Sequence, residues 1–388
     1  MTIKGGREKS LARRHPWVFS GAVSRVDGKP APGDTVAVCG ADGVVYGMGA
    51  FSPRSKIRVR MWHFDPEQGV DAAFFRHRLG GALRLRGGTF PDSGRIVNAE
   101  GDGLPGIVVD RYASHLVCQF LTAGAQLWKE TLAAVLAETV PCQGIYERSG
   151  GEGVDREGIE ACAGTLYGVP PPERIEIREG DCRFLVDVRH GHKTGFYFDQ
   201  RENRRRVAGY ANGAEVLNGF SYTGGFAVTA LRAGARRVVN IDTSADALQM
   251  ASENVVRNGL DPAAVENIEG DVFQVLRRFR DEGRLFDMVI LDPPKFAGSR
   301  KHLQKAARGY KDINLLGIKL LRAGGVLATF SCSGLVDREL FQKTVAWAAG
   351  DAGREVRILE WLSQAPDHPV SLAFPEGTYL KGLLCRVG

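Results

Sequence analysis

Hydrophobic and polar residues alternate with different periods in different parts of the chain. In residues 1–66, short extended runs are separated by glycine, proline and aspartate, which predicts strands joined by turns. From about residue 185, apolar runs of strand length alternate with helical patterns. The helix predicted at 245–258 places its apolar residues on one face. This alternation predicts a doubly wound α/β domain in the second half.

The region between these two parts mixes both patterns. A helix predicted at 125–139 places Trp128 and Leu132 on one face, with predicted strands before and after it. Two glycine-rich stretches, 101–106 and 150–153, open no convincing helix, so we interpret them as hairpin turns rather than phosphate-binding loops. The pattern predicts three domains: a small β-barrel or sandwich at 1–66, a small central α/β domain at 67–184 and a doubly wound α/β domain at 185–388.

Composition narrows the class of protein. Hydrophobic residues make up 44% and charged residues 25% of the 388 residues, as is typical of a globular protein. No apolar run approaches the roughly 18 residues of a membrane span, and the first residues lack the apolar core of a signal peptide. The seven cysteines include no C-x-x-C pair, and the eight histidines form no metal-binding motif. We therefore predict a cytoplasmic protein with no metal and no membrane partner.

Positive charge is concentrated at the start of the chain. Residues 1–66 contain eleven Lys/Arg and five Asp/Glu, so they account for the whole net charge of +6. Arginine supplies 38 of the 51 basic residues, and its planar fork suits phosphate groups and base stacking. A localised basic patch on a β-module predicts a nucleic-acid docking domain; the alternative is a solvated basic face. The candidate RNA-binding residues here are Arg7, Arg13, Arg14, Arg58 and Arg60.

Aspartates end three successive predicted strands of the C-terminal domain. A first strand runs into a glycine-containing turn at 218–224, and Asp242, Asp271 and Asp292 end the next three strands. The turn lacks the G-x-G-x-x-G spacing of a dinucleotide site. Carboxylates at strand ends can accept ribose hydroxyls, and they suit an adenosine-like ligand that carries an ammonium and a sulfonium. For Asp271 the alternative is a helix N-cap.

Together these features resemble the class I S-adenosylmethionine-dependent methyltransferases. Within that class, the ordered motifs are similar to those of the bacterial large-subunit rRNA cytosine-C5 methyltransferases that carry a PUA domain. The resemblance covers essentially the whole chain and implies a PUA-like domain, a central α/β domain and a Rossmann-like catalytic domain. Its motifs are R-H-P-W-V-F at 14–19, G-H-K-T-G-F-Y-F-D-Q-R at 191–201, N-G-F-S-Y-T-G at 218–224, D-P-P-K-F at 292–296, S-C-S-G at 331–334, D-H-P at 367–369 and Y-L-K-G at 379–382.

The resemblance also implies S-adenosylmethionine as cofactor and a set of residues that hold it. The turn at 220–224 would face the methionine end, Asp242 would bind the ribose and Asp271 the adenine amino group. The segment 193–200 would close over the cofactor. The implied cofactor-binding residues are Lys193, Thr194, Gln200, Asn218, Phe220, Tyr222, Thr223, Gly224, Asp242, Asp271 and Asp292.

Cys332 and Asp292 are the implied catalytic residues. C5 of cytosine is a poor nucleophile, and addition of a thiolate to C6 makes the ring enamine-like at C5, which is covalent catalysis. Cys332 follows the fifth predicted strand and is a candidate for this thiol, whereas the other six cysteines are interpreted as packing residues. Asp292 could hold the base at N3 and N4. Many related enzymes carry a second cysteine where this chain has Pro294-Lys295, so the group that removes the C5 proton is not identified.

A basic stretch follows the D-P-P-K-F motif and contains no acid between residues 293 and 311. It could bind RNA phosphates near the active site, or it could be a solvated helix face. Phe296 or Tyr310 could stack on a target base that leaves its own stack. The candidate RNA-binding residues here are Lys295, Phe296, Arg300 and Lys301. Large-subunit rRNA is the expected partner, and a homodimer is the candidate oligomeric state.

Two other functions stay open at this point. An N-methyltransferase acting on guanine or adenine could use the D-P-P-K-F motif without a thiol, and Cys332 discriminates between that reaction and the C5 reaction. A non-catalytic RNA-binding or ribosome-assembly factor would retain the fold but not the cofactor. An NAD-dependent dehydrogenase is disfavoured, because the G-x-G-x-x-G motif is missing.

Overall fold

The computed structural model describes residues 1–87, 92–296 and 300–388, with the side chains of Glu152 and Arg300 left out. The chain forms two compact units, which are described separately. Unit 1 consists of Met1–Ile177, Val186–Phe198 and Pro366–Gly377, and unit 2 consists of Arg178–Leu185, Asp199–Ala365 and Thr378–Gly388. In the part of the chain that is described, no helix is long and apolar enough to cross a membrane.

The first sheet of unit 1 is six-stranded, with the order β2-β6-β5-β4-β1-β3. It encloses a small apolar core of its own, which includes Ile3, Leu11, Val38 and Val59. The strands and turns predicted for this region are confirmed. Its elements are β1 Thr2–Ile3, α1 Lys9–Ala12, β2 Trp17–Phe19, β3 Val23–Arg25, β4 Thr35–Cys39, β5 Val45–Phe51 and β6 Ile57–His63.

The second sheet of unit 1 is five-stranded, with the order β11-β10-β9-β8-β7. Its elements are α2 Ala72–Leu85, β7 Ser93–Asn98, β8 Ile107–Tyr112, β9 His115–Phe120, α3 Ala123–Leu127, α4 Lys129–Thr139, β10 Gly144–Ser149, α5 Glu152–Glu157 and β11 Cys162–Gly168. Trp62, at the end of the first sheet, packs into the core of this region with its ring centroid 5.5 Å from that of Phe75. The two sheets therefore share apolar contacts within unit 1.

Two predictions for this region are corrected by the structure. The helix predicted at 125–139 is two helices, because α3 ends at Leu127 and α4 begins at Lys129. The stretch 101–106 connects the antiparallel strands β7 and β8, as predicted. The stretch 150–153 differs, since it leads into the six-residue helix α5 rather than a simple turn. The division between units falls inside the next hairpin, β12 Ile175–Glu179 and β13 Cys182–Val186, and the three-domain division stays a prediction.

Unit 2 is built on a seven-stranded sheet, with the order β16-β15-β14-β17-β18-β20-β19. Strands β14 to β18 are parallel, and β20 runs antiparallel between β18 and β19. Its elements are α6 Arg201–Ala208, β14 Glu215–Gly219, α7 Gly225–Arg232, β15 Arg237–Asp242, α8 Ala245–Arg257, β16 Val265–Glu269, α9 Val272–Asp281, β17 Phe286–Leu291, α10 Leu303–Lys319, β18 Leu321–Ser331, α11 Arg338–Ala352, β19 Val356–Ser363 and β20 Lys381–Val387. The predicted doubly wound α/β domain is confirmed.

The strand order of this sheet fixes where a ligand can bind. β14 lies between β15 and β17. The chain places β15 and β16 on one side of β14, and then β17 and β18 on the other side. In open α/β sheets, ligands bind beyond the carboxyl ends of the strands at such a switch point. Residues such as Leu217, Val289 and Leu327 are fully buried, which anchors the strands and leaves their carboxyl ends to carry polar groups.

Candidate active site at the carboxyl edge of the seven-stranded sheet

The turn after β14 has an unusual backbone. Phe220 and Tyr222 adopt positive φ angles of 61° and 46°, and Gly224 has a φ of 77°. Residues other than glycine rarely adopt a backbone conformation with positive φ, and those that do are often found at functional sites. A Cβ on Gly224 would lie 2.8 Å from the Cβ of Ala251 in α8, so this position requires glycine for helix packing as well as for its φ angle.

Two hydroxyl groups in this turn have no hydrogen-bond partner within the described residues. They are Oγ of Ser221 and Oγ1 of Thr223, two residues that are 7% and 3% exposed. A buried polar group without a partner costs free energy, so such a pair indicates a place where a ligand supplies the missing partner. This observation fits a cofactor held beyond β14.

Asparagine side chains connect three strands below the turn. Nδ2 of Asn218 donates to Oδ1 of Asn240 at 2.9 Å, and Nδ2 of Asn240 donates to Oδ1 of Asn267 at 3.0 Å. A fourth residue, Asn254 in α8, donates from Nδ2 to the carbonyl of Thr223 at 3.0 Å. Asn218 is 1% exposed, so the structure places its amide in this ladder. Its role towards the cofactor stays a prediction.

Asp242 holds the turn from the neighbouring strand. Its Oδ2 accepts a hydrogen bond from the Tyr222 backbone N–H at 2.8 Å, and its Oδ1 accepts one from the Ser244 N–H at 3.1 Å. Asp271 is exposed and caps α9, since its Oδ1 accepts from the Gln274 N–H at 3.0 Å. The N-cap alternative is therefore observed for Asp271. Binding of ribose by Asp242 and of adenine by Asp271 stays a prediction.

The predicted cofactor-closing segment crosses the division between the units. In unit 1, Thr194 is fully buried and donates from Oγ1 to Oδ2 of Asp110 at 2.5 Å. Lys193 is exposed, has a φ of 51°, and places Nζ 4.3 Å from the ring centroid of Tyr197. In unit 2, Gln200 is buried and its Oε1 accepts from Nδ2 of Asn203 at 2.6 Å. The cofactor role of these residues stays a prediction.

Asp292 and Cys332 lie at adjacent strand ends. Leu291 pairs with Thr329 in the parallel ladder of β17 and β18, so the residues that follow both strands leave the sheet side by side. Sγ of Cys332 lies 3.9 Å from the carbonyl oxygen of Pro293. Cys332 is partly exposed, whereas the flanking Ser331 and Ser333 are fully buried. The structure therefore brings together the two residues that the sequence proposed as catalytic.

The other cysteines provide a contrast. Burial raises the pKa of the Cys118 and Cys182 thiols, and it raises that of Cys385 to about 12. These buried thiols stay protonated at neutral pH and fit the packing interpretation. Cys162 does not fit it, because this residue is exposed. Within the described residues, none of the seven cysteines forms a disulfide.

Lys381 is a residue of this edge that lies in the Y-L-K-G motif at 379–382 but to which the sequence analysis assigned no role. The residue is 6% exposed, and its Nζ donates to the carbonyl oxygens of Ser333 and Tyr379, both at 2.6 Å. Burial lowers the pKa of Lys381 to about 8, while Cys332 and Asp337 act in the opposite direction. The sequence does contain a signal for this residue, because a lysine begins the apolar run K-G-L-L-C at 381–385. An unpaired charge in such a run costs free energy.

The residues after the D-P-P-K-F motif divide into exposed and packed ones. Lys295 and Lys301 are exposed, while the side chain of Arg300 lies outside the described residues. Phe296 is half-buried, and its ring centroid lies 4.7 Å from that of Tyr310. Tyr310 is fully buried, and burial raises its pKa. Because its ring is fully buried, Tyr310 does not fit the predicted role of stacking on a target base. For Phe296, stacking on the base and RNA binding stay predictions.

The basic residues of the first sheet also fall into two groups. Arg7, Arg13 and Arg14 are exposed, and within the described residues none of the three forms an ion pair. Arg60 is different: its side chain is 11% exposed and donates from Nη1 to Oε1 of Glu157 at 2.7 Å, and a second carboxylate lies 3.7 Å from its Nε. Arg58 is half-buried and donates to the backbone carbonyl of Ser52 at 3.4 Å. An RNA role is thus least supported for Arg60.

A cavity of about 680 Å³ lies in unit 1 beside Arg14. His63 and Arg78 are among its lining residues, and burial, followed by the nearby Arg78, lowers the pKa of His63. Nε2 of His63 is buried and has no hydrogen-bond partner within the described residues. The lining residues of this cavity include none of the candidate catalytic residues. Across the described ranges, no group of three His, Cys, Asp or Glu side chains forms a candidate metal site.

Comparison with known proteins identifies the family. The sequence profile of the S-adenosylmethionine-dependent methyltransferases matches residues 156–383, and that of the PUA-like domain matches residues 1–64. The chain therefore belongs to the S-adenosylmethionine-dependent methyltransferases, with S-adenosylmethionine as cofactor, and the predicted fold class is confirmed.

Relatives cover the whole chain. A ribosomal RNA large subunit methyltransferase I from Shewanella amazonensis is 51% identical over 389 residues, which cover 99% of this chain and 98% of that protein. The protein of the same name from Cronobacter sakazakii is 49% identical over 391 residues, or 100% of this chain and 99% of that protein. The crystal structure of SMU.776, a proposed methyltransferase in complex with SAH, superposes with a TM-score of 0.88 at 21% identity, covering 100% of this chain and 99% of that one. This structure supports the fold alone.

Proposed function

We propose that this methyltransferase acts on large-subunit rRNA and forms 5-methylcytosine through a covalent bond between Cys332 and C6 of the base. The substrate class is supported by the relatives named as ribosomal RNA large subunit methyltransferases, which match over almost the full chain. The base and the covalent step are supported by one observation: Sγ of Cys332 lies 3.9 Å from the carbonyl of Pro293, directly after Asp292.

The cofactor fits the residues of the switch point. The unpartnered hydroxyls of Ser221 and Thr223 and the backbone of the 218–224 turn would hold it. Asp242 fixes that turn through Tyr222 and would accept the ribose hydroxyls. When bound, S-adenosylmethionine supplies an electrophilic methyl group on a sulfonium.

The chain's own residues perform the activation of the base. The thiolate of Cys332 adds its lone pair to C6, and the π electrons of the C5–C6 bond then become available at C5. Asp292 would accept a hydrogen bond from the base at N4 and keep the ring oriented during addition. After methylation, the C5 proton passes to solvent, the electrons of the C5–H bond restore the C5–C6 double bond, and the C6–S bond breaks to release the thiolate. Asp292 and Cys332 directly follow β17 and β18.

RNA binding is proposed for the basic residues outside this edge. Arg7, Arg13 and Arg14 are exposed and have no ion pair within the described residues, so their charge is available to phosphates. Lys295 and Lys301 are exposed next to the catalytic motif. We also propose that the protein acts in the cytoplasm, as expected for a protein that modifies rRNA. The homodimer stays a prediction that light scattering can test.

A trapping experiment tests the covalent step. RNA that contains 5-fluorocytosine at the target position should form a stable adduct with the wild-type protein, because fluorine cannot leave as a proton and the thiol cannot be eliminated. The adduct should require S-adenosylmethionine. It should be absent in Cys332→Ala and present in the control Cys162→Ala, which removes an exposed thiol of unit 1. An N-methyltransferase would form no adduct, and a methyl group found on a ring or exocyclic nitrogen would overturn the proposal.

A further inference from the structure

Lys381 is held beside Cys332 by the architecture of the sheet. It is the first residue of β20, and it pairs with Ser331 in the antiparallel ladder with β18. Its Nζ donates a hydrogen bond to the carbonyl oxygen of Ser333. Lys381 therefore contacts the residues on both sides of Cys332 in sequence: Ser331 through the strand pairing and Ser333 through its ammonium group. A second bond, to the carbonyl of Tyr379, fixes the ammonium from its own strand. Two short bonds at 2.6 Å leave this group little freedom to move.

The charge of Lys381 is unusual for its surroundings. Lys311 and Lys343 form ion pairs with carboxylates at 2.6 Å and 2.5 Å. Lys381 forms none within the described residues, although it is almost fully buried. An ammonium has three donors, and two of them are used by carbonyl groups. Burying a cation without a carboxylate partner costs free energy. We therefore expect the buried ammonium of Lys381 to have a function that offsets this cost.

The groups that act on Lys381 identify that role. Cys332 and Asp337 are the ionisable groups whose negative charge favours its protonated form. Asp337 is exposed and caps α11 through the Leu340 N–H, so water weakens its effect. The Tyr310 hydroxyl is within hydrogen-bond distance of Oγ of Ser333 at 3.2 Å, and burial keeps this phenol neutral at physiological pH. Cys332 is therefore the group whose anion is best placed to benefit from the buried ammonium.

We propose that Lys381 is a positioning residue that stabilises the thiolate of Cys332 and so prepares it for attack on C6. The inference rests on the proposed function, because it assigns Cys332 as the nucleophile. The thiol proton leaves to solvent, the buried ammonium compensates the charge on sulfur, and the sulfur lone pair then forms the bond to C6. Lys381 forms no bond to the base and keeps its own protons. Since its pKa is about 8, its effect is present below that pH and fades above it.

The reactivity of Cys332 towards iodoacetamide tests this proposal without RNA. Full-length protein is alkylated at a series of pH values, and the peptide that contains Cys332 is quantified by mass spectrometry. In Lys381→Met the midpoint of the alkylation profile should rise by about one pH unit, which is about tenfold less thiolate at neutral pH. Lys381→Arg keeps the charge and should restore the midpoint. The control Lys343→Met removes an exposed lysine on α11 and should leave the midpoint unchanged.

Two further measurements keep the test decisive. Binding of S-adenosylmethionine by each variant shows that it is folded; should Lys381→Met fail to fold, the wild-type profile alone still decides. Its Cys332 midpoint should lie below the pKa of about 8.5 of an ordinary cysteine, and a midpoint at or above that value would overturn the proposal. Equal midpoints in folded Lys381→Met and wild type would also overturn it. Failure of the proposed function looks different, because Cys332→Ala would then remain an active methyltransferase.

Discussion

The carboxyl edge of the seven-stranded sheet and the six-stranded sheet of residues 1–66 use polar groups in opposite ways. Around Cys332 the edge buries its polar groups: Ser331, Ser333 and Lys381 are at most 6% exposed. The first sheet carries the whole net charge of the chain, and Arg13 and Arg14 are exposed. Electrostatic interactions are strong where water is excluded, and they are screened by salt at the surface. The edge is therefore suited to chemistry, whereas the first sheet is suited to attracting RNA.

The largest effect should follow from removing the thiol at the edge. Cys332→Ala should reduce turnover by about three orders of magnitude or more, because the unactivated ring cannot attack the methyl group at a useful rate. Affinity for S-adenosylmethionine and RNA should stay close to the wild-type value, since the thiol reacts only after both are bound. Single-turnover kinetics and calorimetry measure the two quantities separately. Activity within tenfold of wild type would show that the edge does not work through this thiol.

The second-largest effect is expected for Arg60, a basic residue of the first sheet whose side chain is largely buried rather than exposed. Arg60 belongs to the first sheet, but it is buried in an ion pair with Glu157, whose side chain is 2% exposed. Arg60→Met leaves an uncompensated buried carboxylate, so the free energy of unfolding should fall by about 3 kcal/mol. Chemical denaturation with an Arg14→Gln control measures this change, and Arg14→Gln should leave stability within about 0.5 kcal/mol. A normal stability for Arg60→Met would mean that this arginine is available for RNA after all.

Arg60 and Lys381 also show why the sequence predicted some features and missed others. The strands of the parallel sheet and the proximity of the candidate catalytic residues Asp292 and Cys332 follow from local patterns, because parallel strands bring their carboxyl ends to one edge. The residues 57–62, I-R-V-R-M-W, alternate with period two, which puts Val59 in the core and Arg60 on the other face of the strand. What covers that face is Glu157, which lies 97 residues away in sequence, and no local pattern reveals it. The pairing of Lys381 with Ser331 spans fifty residues of sequence and is non-local in the same way.

The third effect concerns the strand-end acid that holds the turn. Asp242→Ala removes the acceptor of the Tyr222 N–H and a candidate partner of the ribose, so affinity for S-adenosylmethionine should fall by about ten- to a hundredfold, as expected for lost hydrogen bonds to a charged group. Asp242→Asn keeps one acceptor oxygen and should lose less. Asp246→Ala, an exposed carboxylate four residues further on, is the control and should bind normally in calorimetry. Equal affinities for all of these proteins would remove Asp242 from the cofactor site.

The smallest effect per residue should come from the exposed arginines of the first sheet. Deleting residues 1–66 would be a poor test, because Ala50 and Trp62 belong to an apolar core shared with the second sheet of unit 1. A triple variant, Arg7→Gln, Arg13→Gln and Arg14→Gln, removes charge without exposing that core.

Each lost phosphate contact should reduce the slope of log affinity against log salt concentration by about 0.7 to 0.9, so three contacts would reduce it by about 2 to 3. RNA affinity should fall at low salt and converge with that of wild type at high salt, while S-adenosylmethionine binding and the Cys332 alkylation profile stay unchanged. Filter binding over a range of salt concentrations provides the slope. A slope equal to that of wild type would mean that these arginines form a solvated surface, and the RNA contacts would then have to be sought around Lys295 and Lys301.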